Sequence, residues 1–428
     1  MMKTKKKVVI LGGGFAGIYT YLNLLKHDIK CDCVEVTLVN KNDYFGFIVL
    51  AHEVATGGLL PSDMMQSINT LPKDKDTKFI QGEVKKVDIK QKVVLVEREN
   101  YSVSEKQIME VPFDYIVMAL GSDTQTYGVE GVNEYALTLK DIQDAKKIKN
   151  RILESFESAL YVIDEDKKRE LLTFVIVGGG PTGVELSAEM ADYIFDEISD
   201  AYPSLAPFAE VILIQSGKRL LPQSNEWFHQ KTVNILKTLK VQVLLEKRVV
   251  EIKKDRVVLN DGEMKTANVF WSAGVKARDI DIVSDTPFLK DEKSGRIKVN
   301  DFLQVPTETT VFVAGDQSWL IDKNTHQPYP MRAQFAVRQG VIVAKNIIAH
   351  IHGRKKQEFF WKDSGFIISL GRGGALAEVY GLRLSGFIAW WLYRTAYLLK
   401  MVGIRSKLRT GFEWGINLFL PRDITKFD

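Results

Sequence analysis

Residues 7–17 read Lys-Val-Val-Ile-Leu-Gly-Gly-Gly-Phe-Ala-Gly, and residues 174–185 read Phe-Val-Ile-Val-Gly-Gly-Gly-Pro-Thr-Gly-Val-Glu. Each stretch is a short β-branched run, then glycines spaced G-x-G-x-x-G, then a helical pattern. In the first, Gly12 permits a tight turn, Gly14 lets a phosphate approach the backbone, and Gly17 lets helix and strand pack closely. Phe15 and Ala16 open a helix whose free N–H groups favour an anion. Gly178, Gly180 and Gly183 repeat the three positions, with Pro181 and Thr182 between them. One such motif is weak evidence. Two, each in the right strand–helix setting, predict an internal repeat of about 165 residues, each copy a dinucleotide-binding fold.

The flanking patterns agree. A helix is expected near 16–26, strands at 34–39 and 93–97, and a buried run at 113–120 that ends in Gly121-Ser122. Ala119 and Gly121 are therefore candidate nucleotide contacts. In the second copy a helix is expected at 184–193, a strand at 210–214 and a buried run at 269–273, ending in Gly274. The second strand of such a fold commonly ends on a carboxylate for the ribose hydroxyls. Here the positions are Asn40, followed by Lys41, and Gln215. An amide still bonds hydroxyls but does not repel a 2′-phosphate, and Lys218 and Arg219 follow Gln215, so NADH and NADPH both stay open. A third strand, 309–316, ends in Gly315-Asp316, where one carboxylate can meet the hydroxyls of a ribityl chain. With the two glycine motifs it makes FAD plus a nicotinamide nucleotide the expected pair.

At 428 residues the chain exceeds one hydrophobic core. Its net charge of +4 is concentrated at the end: residues 383–428 hold eight basic and three acidic side chains. The two cysteines, Cys31 and Cys33, are too few for an iron–sulfur cluster or a zinc site and read as ordinary thiols. No metal and no nucleic acid is expected. The start of the chain runs into the first glycine motif without a signal-peptide core, and no window of 18 uncharged apolar residues appears, so a cytoplasmic start and no membrane-crossing helix are expected.

The order GGGFAG, ALGS, GGGPTGVE, WSAG and VFVAGD, over residues 7–350, resembles the two-dinucleotide-binding flavoproteins. Members that reduce disulfides or oxidise sulfide need cysteines beside the flavin, and Cys31 and Cys33 lie away from any such position. Residues 333–340, Ala-Gln-Phe-Ala-Val-Arg-Gln-Gly, resemble the alanine–glutamine motif of type II NADH:quinone oxidoreductases, the single-subunit, non-pumping respiratory dehydrogenases. Residues 42–45, 53–57 and 128–131 match the same family, which departs from this chain at Asn40, Gln215 and Val49-Leu50. The tail also resembles that family's membrane anchor. Phe387, Ile388, Trp391, Leu392, Leu398, Leu399 and Val402 share one helical face flanked by aromatic and basic residues, and a second segment runs from Phe412 to Leu420.

The resemblance implies an α/β protein with two Rossmann-like domains, for FAD and NAD(P)H, plus a C-terminal amphipathic helical region for membrane anchoring. The expected limits are 1–120 and 285–358 for the FAD domain, 121–284 for the NAD(P)H domain and 359–428 for membrane association. A hydride would pass from NADH or NADPH to FAD, and two electrons then to a membrane quinone, ubiquinone or menaquinone. Ala333 and Gln334 would touch the cofactor. Gln334 and Gln339 would line the quinone edge. Glu185 would contact the nicotinamide or serve proton supply, unless it is only a first-turn carboxylate favoured by the helix dipole. A peripheral site on the cytoplasmic face of the cell membrane, against anionic lipid, is expected; a homodimer is open. Two alternatives stand: a soluble reductase of a ferredoxin-like or other acceptor, and a redox-sensing binding module without turnover.

Overall fold

The computed structural model describes residues 5–28, 32–100, 105–361 and 365–427. The chain divides into two compact units, one of Met1–Phe45, Ser67–Asp123 and Val275–Lys362, the other of Gly46–Gln66, Thr124–Gly274 and Asp363–Asp428. The expected division differs in two respects. Residues 46–66 leave the first unit for the second. The tail is not a region apart, because Trp390, Tyr393, Trp414 and Arg422 are buried within the second unit.

In the first unit the strands Lys6–Leu11, Val34–Asn40, Thr77–Gln81, Tyr115–Met118 and Glu308–Val313 form a parallel sheet, with Gln304–Val305 antiparallel at one edge. Lys6–Leu11 lies between Tyr115–Met118 and Val34–Asn40, and its last four residues are fully buried. Such unbroken apolar runs are what a parallel sheet covered on both faces demands. Leu11 pairs with both Val39 and Met118, and Met118 with Val313, so the Gly12 turn, Asn40, Ala119 and the Gly315-Asp316 turn emerge at one end. The helix Phe15–Asp28 buries Ile18, Tyr21, Leu24 and Leu25, with steps of three and four residues from Ile18 to Tyr21 and on to Leu24 and Leu25. An antiparallel meander, Glu83–Asp88, Val93–Asn100 and Glu105–Pro112, completes this unit with Asp281–Val283.

The second unit repeats the plan. Five parallel strands lie in the order Ala136–Thr138, Asn268–Trp271, Thr173–Val177, Glu210–Gln215, Val241–Leu245. Val177 pairs with Ile214 and Trp271, so Gly178, Gln215 and the 272–274 segment share one end. The helix Pro181–Asp192 starts with proline in its first turn and continues into a π-helical turn, Tyr193–Ile198. The tail supplies a three-stranded sheet, Gly365–Ser369, Ala375–Val379 and Leu382–Ser385, then helices Phe387–Lys400 and Ile404–Ile416. The second helix begins eight residues before the expected Phe412. Cys33 is disulfide-bonded, which corrects the reading of ordinary thiols; Cys31 lies outside the described residues.

Candidate functional site

The glycines of the first unit divide by what surrounds them. A Cβ on Gly12 would lie 2.2 Å from the Ala119 carbonyl oxygen, and one on Gly17 would lie 1.8 Å from that of Gly12. A Cβ on Gly14 meets nothing within 4 Å. Gly12 (φ +102°) and Gly17 are thus demanded by the chain's own backbone, whereas Gly14 opens toward ligand space at a helix N-terminus. The second unit shows the same division. A Cβ on Gly178 or Gly183 would collide with Ala273 or with the Gly178 carbonyl, while Gly180 faces open space. The residues present fit a dinucleotide pyrophosphate in each unit.

The two amides at the strand ends play matching parts. The Asn40 side-chain oxygen accepts from Gly13 N–H at 2.8 Å, and its NH2 donates to the Asn42 carbonyl at 2.8 Å. Gln215 accepts from Gly179 N–H at 3.0 Å and donates to the Arg219 carbonyl at 3.4 Å. Each amide braces its glycine turn and keeps one N–H for a ribose hydroxyl. Lys41 and Gln81 meet through the Lys41 carbonyl, which accepts from the Gln81 amide at 3.3 Å.

Asp316 lies just past the end of the Glu308–Val313 strand. Its carboxylate accepts from the Ser122 hydroxyl at 2.7 Å, beside Gly121 (φ +76°). Gly315 has φ +69°, and a Cβ there would lie 3.1 Å from the Ala16 methyl. Its N–H donates to the Gln339 side-chain oxygen at 2.6 Å, and that oxygen also accepts from Ser318 Oγ at 3.0 Å. Gln339 is buried and its side-chain oxygen is taken up by Gly315 and Ser318, so it shapes the Asp316 turn. Five residues apart on the helix Ala333–Ile351, it faces a different direction from the half-buried Ala333 and Gln334. The last residue of that motif, Gly340, matters for another reason. A Cβ there would lie 2.4 Å from the Ala16 carbonyl, so glycine lets this helix lie against the fingerprint helix. Sequence reasoning missed Gln317, whose side chain accepts from Leu120 N–H at 2.8 Å and donates to the Arg278 carbonyl at 3.2 Å.

In the second unit, Ser272 Oγ donates to the Val177 carbonyl at 3.0 Å, and Gly274 packs against the Tyr127 hydroxyl with no room for a Cβ. Glu185 is not in the first helical turn; it lies one turn further on and is largely covered. Its Oε1 accepts from Ser369 N–H at 3.3 Å, and its Oε2 lies 3.9 Å from His52 Nδ1. Burial pushes its carboxyl up to about 8, with the Ser369 N–H opposing. Burial likewise lowers His52 to about 4, so its ring is neutral.

Glu185 is one end of an acidic face. Glu189 and Asp192 follow at i+4 and i+7 on the same helix. A polar stripe at this spacing ordinarily marks the solvated face, yet Glu189 and Asp192 are buried. The tail covers them and supplies the counter-charge. Arg422 donates to Glu189 at 2.7 Å and lies 3.5 Å from Glu197, and Arg394 lies 3.7 Å from Glu53. Trp414 Nε1 donates to Glu53 at 2.7 Å. The backbone N–H of Arg372 donates to Asp192. Burial would raise Glu189, but Arg422 and Arg394 outweigh it and hold the carboxyl below its usual range. The segment around Asp423 is pinned by Lys149 to Asp423 at 3.0 Å and by Tyr193 Oη to the Asp423 carbonyl at 3.0 Å. Because breaking a buried pair strands its partner, Arg422→Met is expected to cost about 3–5 kcal/mol of stability. Urea unfolding of the variant beside the wild type measures this, and a loss below about 1 kcal/mol would contradict it.

The comparisons with known proteins agree with this geometry. The family model of the pyridine nucleotide-disulphide oxidoreductases matches residues 6–340. A probable NADH dehydrogenase of Dictyostelium discoideum is 30% identical over 428 residues, covering 99% of this chain and 91% of that one. A type II NADH:quinone oxidoreductase of Staphylococcus haemolyticus is 28% identical over 415 residues, covering 96% and 97%. Among solved structures, NDH2 from Plasmodium falciparum in complex with NADH shares the fold with a TM-score of 0.89 at 20% identity, covering 99% of this chain and all of that one. The duplicated glycine cradles therefore sit in a chain that belongs to the pyridine nucleotide-disulphide oxidoreductase family, in its type II NADH dehydrogenase branch.

Proposed function

We propose that this protein is an FAD-dependent NADH:quinone oxidoreductase that works on a membrane surface. The observation that carries the reading is the pair of glycine cradles, open only at Gly14 and Gly180, at the ends of two parallel sheets. Bound FAD would supply the two-electron chemistry between nucleotide and quinone. The protein's own part is to seat one pyrophosphate at the Phe15 helix, to present Asp316 to ribityl hydroxyls, and to seat the second nucleotide at the Pro181 helix. Glu185 holds a proton for quinone reduction, with Ser369 orienting it. Cys33 precedes the strand Val34–Asn40, at the end opposite the glycine turn, which speaks against thiol chemistry. Gln334 stays as the candidate at the quinone edge.

Steady-state oxidation of NADH and of NADPH with a short-chain quinone tests the reading; quinone reduction with NADH is expected, and its absence would overturn it. Gln215→Glu is expected to lower NADPH use about tenfold or more relative to NADH. A carboxylate there still accepts from Gly179 N–H but repels a 2′-phosphate. Equal effects on both nucleotides would contradict that account.

The membrane reading rests on the tail's outer face. Phe387, Ile388, Trp391 and Leu399 are exposed on the first tail helix, and Ile404, Leu408 and Phe412 are exposed at i, i+4 and i+8 on the second. Lys400, Arg405, Lys407 and Arg409 alternate with them. Apolar side chains entering the acyl boundary, with cations at the headgroups, make an interfacial anchor. No described helix is long and apolar enough to cross a membrane. Deleting residues 383–428 would also strip the buried acids of Arg394 and Arg422, so point substitutions are the cleaner test. Trp391→Glu and Phe412→Glu are each expected to weaken co-sedimentation with anionic phospholipid vesicles about tenfold or more. Unchanged partitioning would remove the anchor from the proposal.

A further inference from the structure

The buried acids of the second unit outnumber their cations. Among the described residues Glu53, Glu189, Asp192 and Glu197 face Arg372, Arg394 and Arg422, while Glu185 has the neutral His52 at 3.9 Å. Buried carboxyls without a cation take up protons. The three on the Pro181–Asp192 helix also form a line, one turn apart, with distinct surroundings at each end.

Asp192 lies beside the exposed Arg372, whose backbone N–H donates to it, and it packs directly on Gly371. Glu189 follows, and the Ser369 hydroxyl donates to it at 3.5 Å while the Ser369 N–H donates to Glu185. Near Glu189 a cavity of about 10 Å³, lined by Glu53, Arg372, Arg394 and Arg422 among others, has room for one water molecule. Arg394, which lines it, has an Nε with no hydrogen-bond partner among the described residues. At the far end His52 adjoins Glu185, and the Tyr393 hydroxyl lies 3.4 Å from His52 Nε2.

The overall reaction, NADH + H⁺ + quinone → NAD⁺ + quinol, consumes one proton per turnover that the nucleotide does not bring. We propose that the acidic face of the Pro181–Asp192 helix is the supply line for that proton: Asp192 takes it up beside Arg372, and Glu189 and Ser369 conduct it to Glu185, which His52 flanks on the far side. The inference rests on the quinone-reductase reading above and adds to it the residues behind Glu185. Asp192, Glu189 and His52 act through Glu185 and are positioning residues. Each group facing the line has a part. Arg422 and Arg394 keep Glu189 ionised, so that it holds the proton only in passing and releases it readily. Glu53 and Glu197 fix those guanidiniums, Asp196 adds negative charge beside Asp192, and Tyr393 closes the line beyond His52. Burial places Asp192 at about 7 and Glu185 at about 8, so both exchange protons near neutrality.

Asp192→Asn tests this, since the amide oxygen still accepts from Arg372 N–H. Turnover of the flavin-loaded enzyme with a short-chain quinone is compared with turnover on ferricyanide, which takes electrons without protons. The ratio of the two is expected to fall about tenfold near pH 8 and less near pH 6, where bulk protons are plentiful. Infrared difference spectra of wild type against variant, without turnover, are expected to show the C=O stretch of a protonated carboxyl that titrates near pH 7 and is missing in Asp192→Asn. An unchanged ratio, an equal loss with both acceptors, or no such carboxyl band overturns the line. Wild-type enzyme that reduces ferricyanide but not quinone overturns the parent reading instead, and the infrared band still reports whether Asp192 holds a proton.

Discussion

Gly180→Val is expected to raise the KM for NADH by roughly 100-fold or more while flavin stays bound. The backbone at Gly180 is extended (φ −77°, ψ 179°), a conformation valine adopts freely, and a Cβ there meets no protein atom within 4 Å. The variant therefore folds. Its side chain fills the space in front of the Pro181 helix, where the pyrophosphate would use free N–H groups and the helix dipole. Losing those charge-assisted bonds, about 1.5–3 kcal/mol each, accounts for the size of the effect. The Gly12 cradle belongs to the other compact unit and keeps its own geometry. Gly183→Ala is the contrasting case, because its Cβ would sit 2.0 Å from the Gly178 carbonyl oxygen and 2.5 Å from Ser272 Oγ, so it damages the fold itself. Steady-state kinetics beside the flavin-to-protein absorbance ratio separates the two. An unchanged KM in Gly180→Val would show that the nucleotide does not lie across this turn.

Glu185→Gln is expected to lower quinone-dependent turnover about 100-fold and to flatten its alkaline limb. Burial raises the Glu185 carboxyl to about 8. Below that pH the group carries its proton and can give it up; as pH rises through about 8 it ionises and the wild-type rate declines. Glutamine neither donates nor titrates, so the variant is slow at every pH. Stability moves in the same direction with pH. With the folded pKa raised above its unfolded value, the folded state binds more protons than the unfolded one between about 4.5 and 8. The stabilising contribution of that proton is therefore lost as pH rises through the window. Glutamine lacks this dependence, so the variant's urea midpoint should gain on the wild type between pH 5 and 9. A pH–rate profile unchanged in shape by Glu185→Gln would remove Glu185 from proton transfer.

The glycine cradles were legible because their requirements are local. Tight turns and close strand–helix approach need particular glycines at particular spacings, whatever the rest of the chain does. The same holds for the strand end at Gly315-Asp316, for the amides Asn40 and Gln215, and for the apolar stripe of the tail. These features determined two dinucleotide folds from sequence alone, and they carry the proposals of Asp316 as a flavin carboxylate and of the tail as a membrane surface. Gln339 could be placed on a helix but not oriented, because its partners, Gly315 and Ser318, lie on a different element.

The burial of the acidic face was not legible for the same reason. Glu185, Glu189 and Asp192 repeat at the spacing of a solvated helix side, and nothing near them in the chain says otherwise. Their cover comes from Ser369, Arg372 and Arg422, some 180 to 235 residues away. A helical period reports which residues share a face, while the charge that lets such a face be buried is supplied by whichever distant segment packs on it. Only the tertiary structure decided that this face lies beneath the tail, and with it that Glu185 carries a proton near neutral pH.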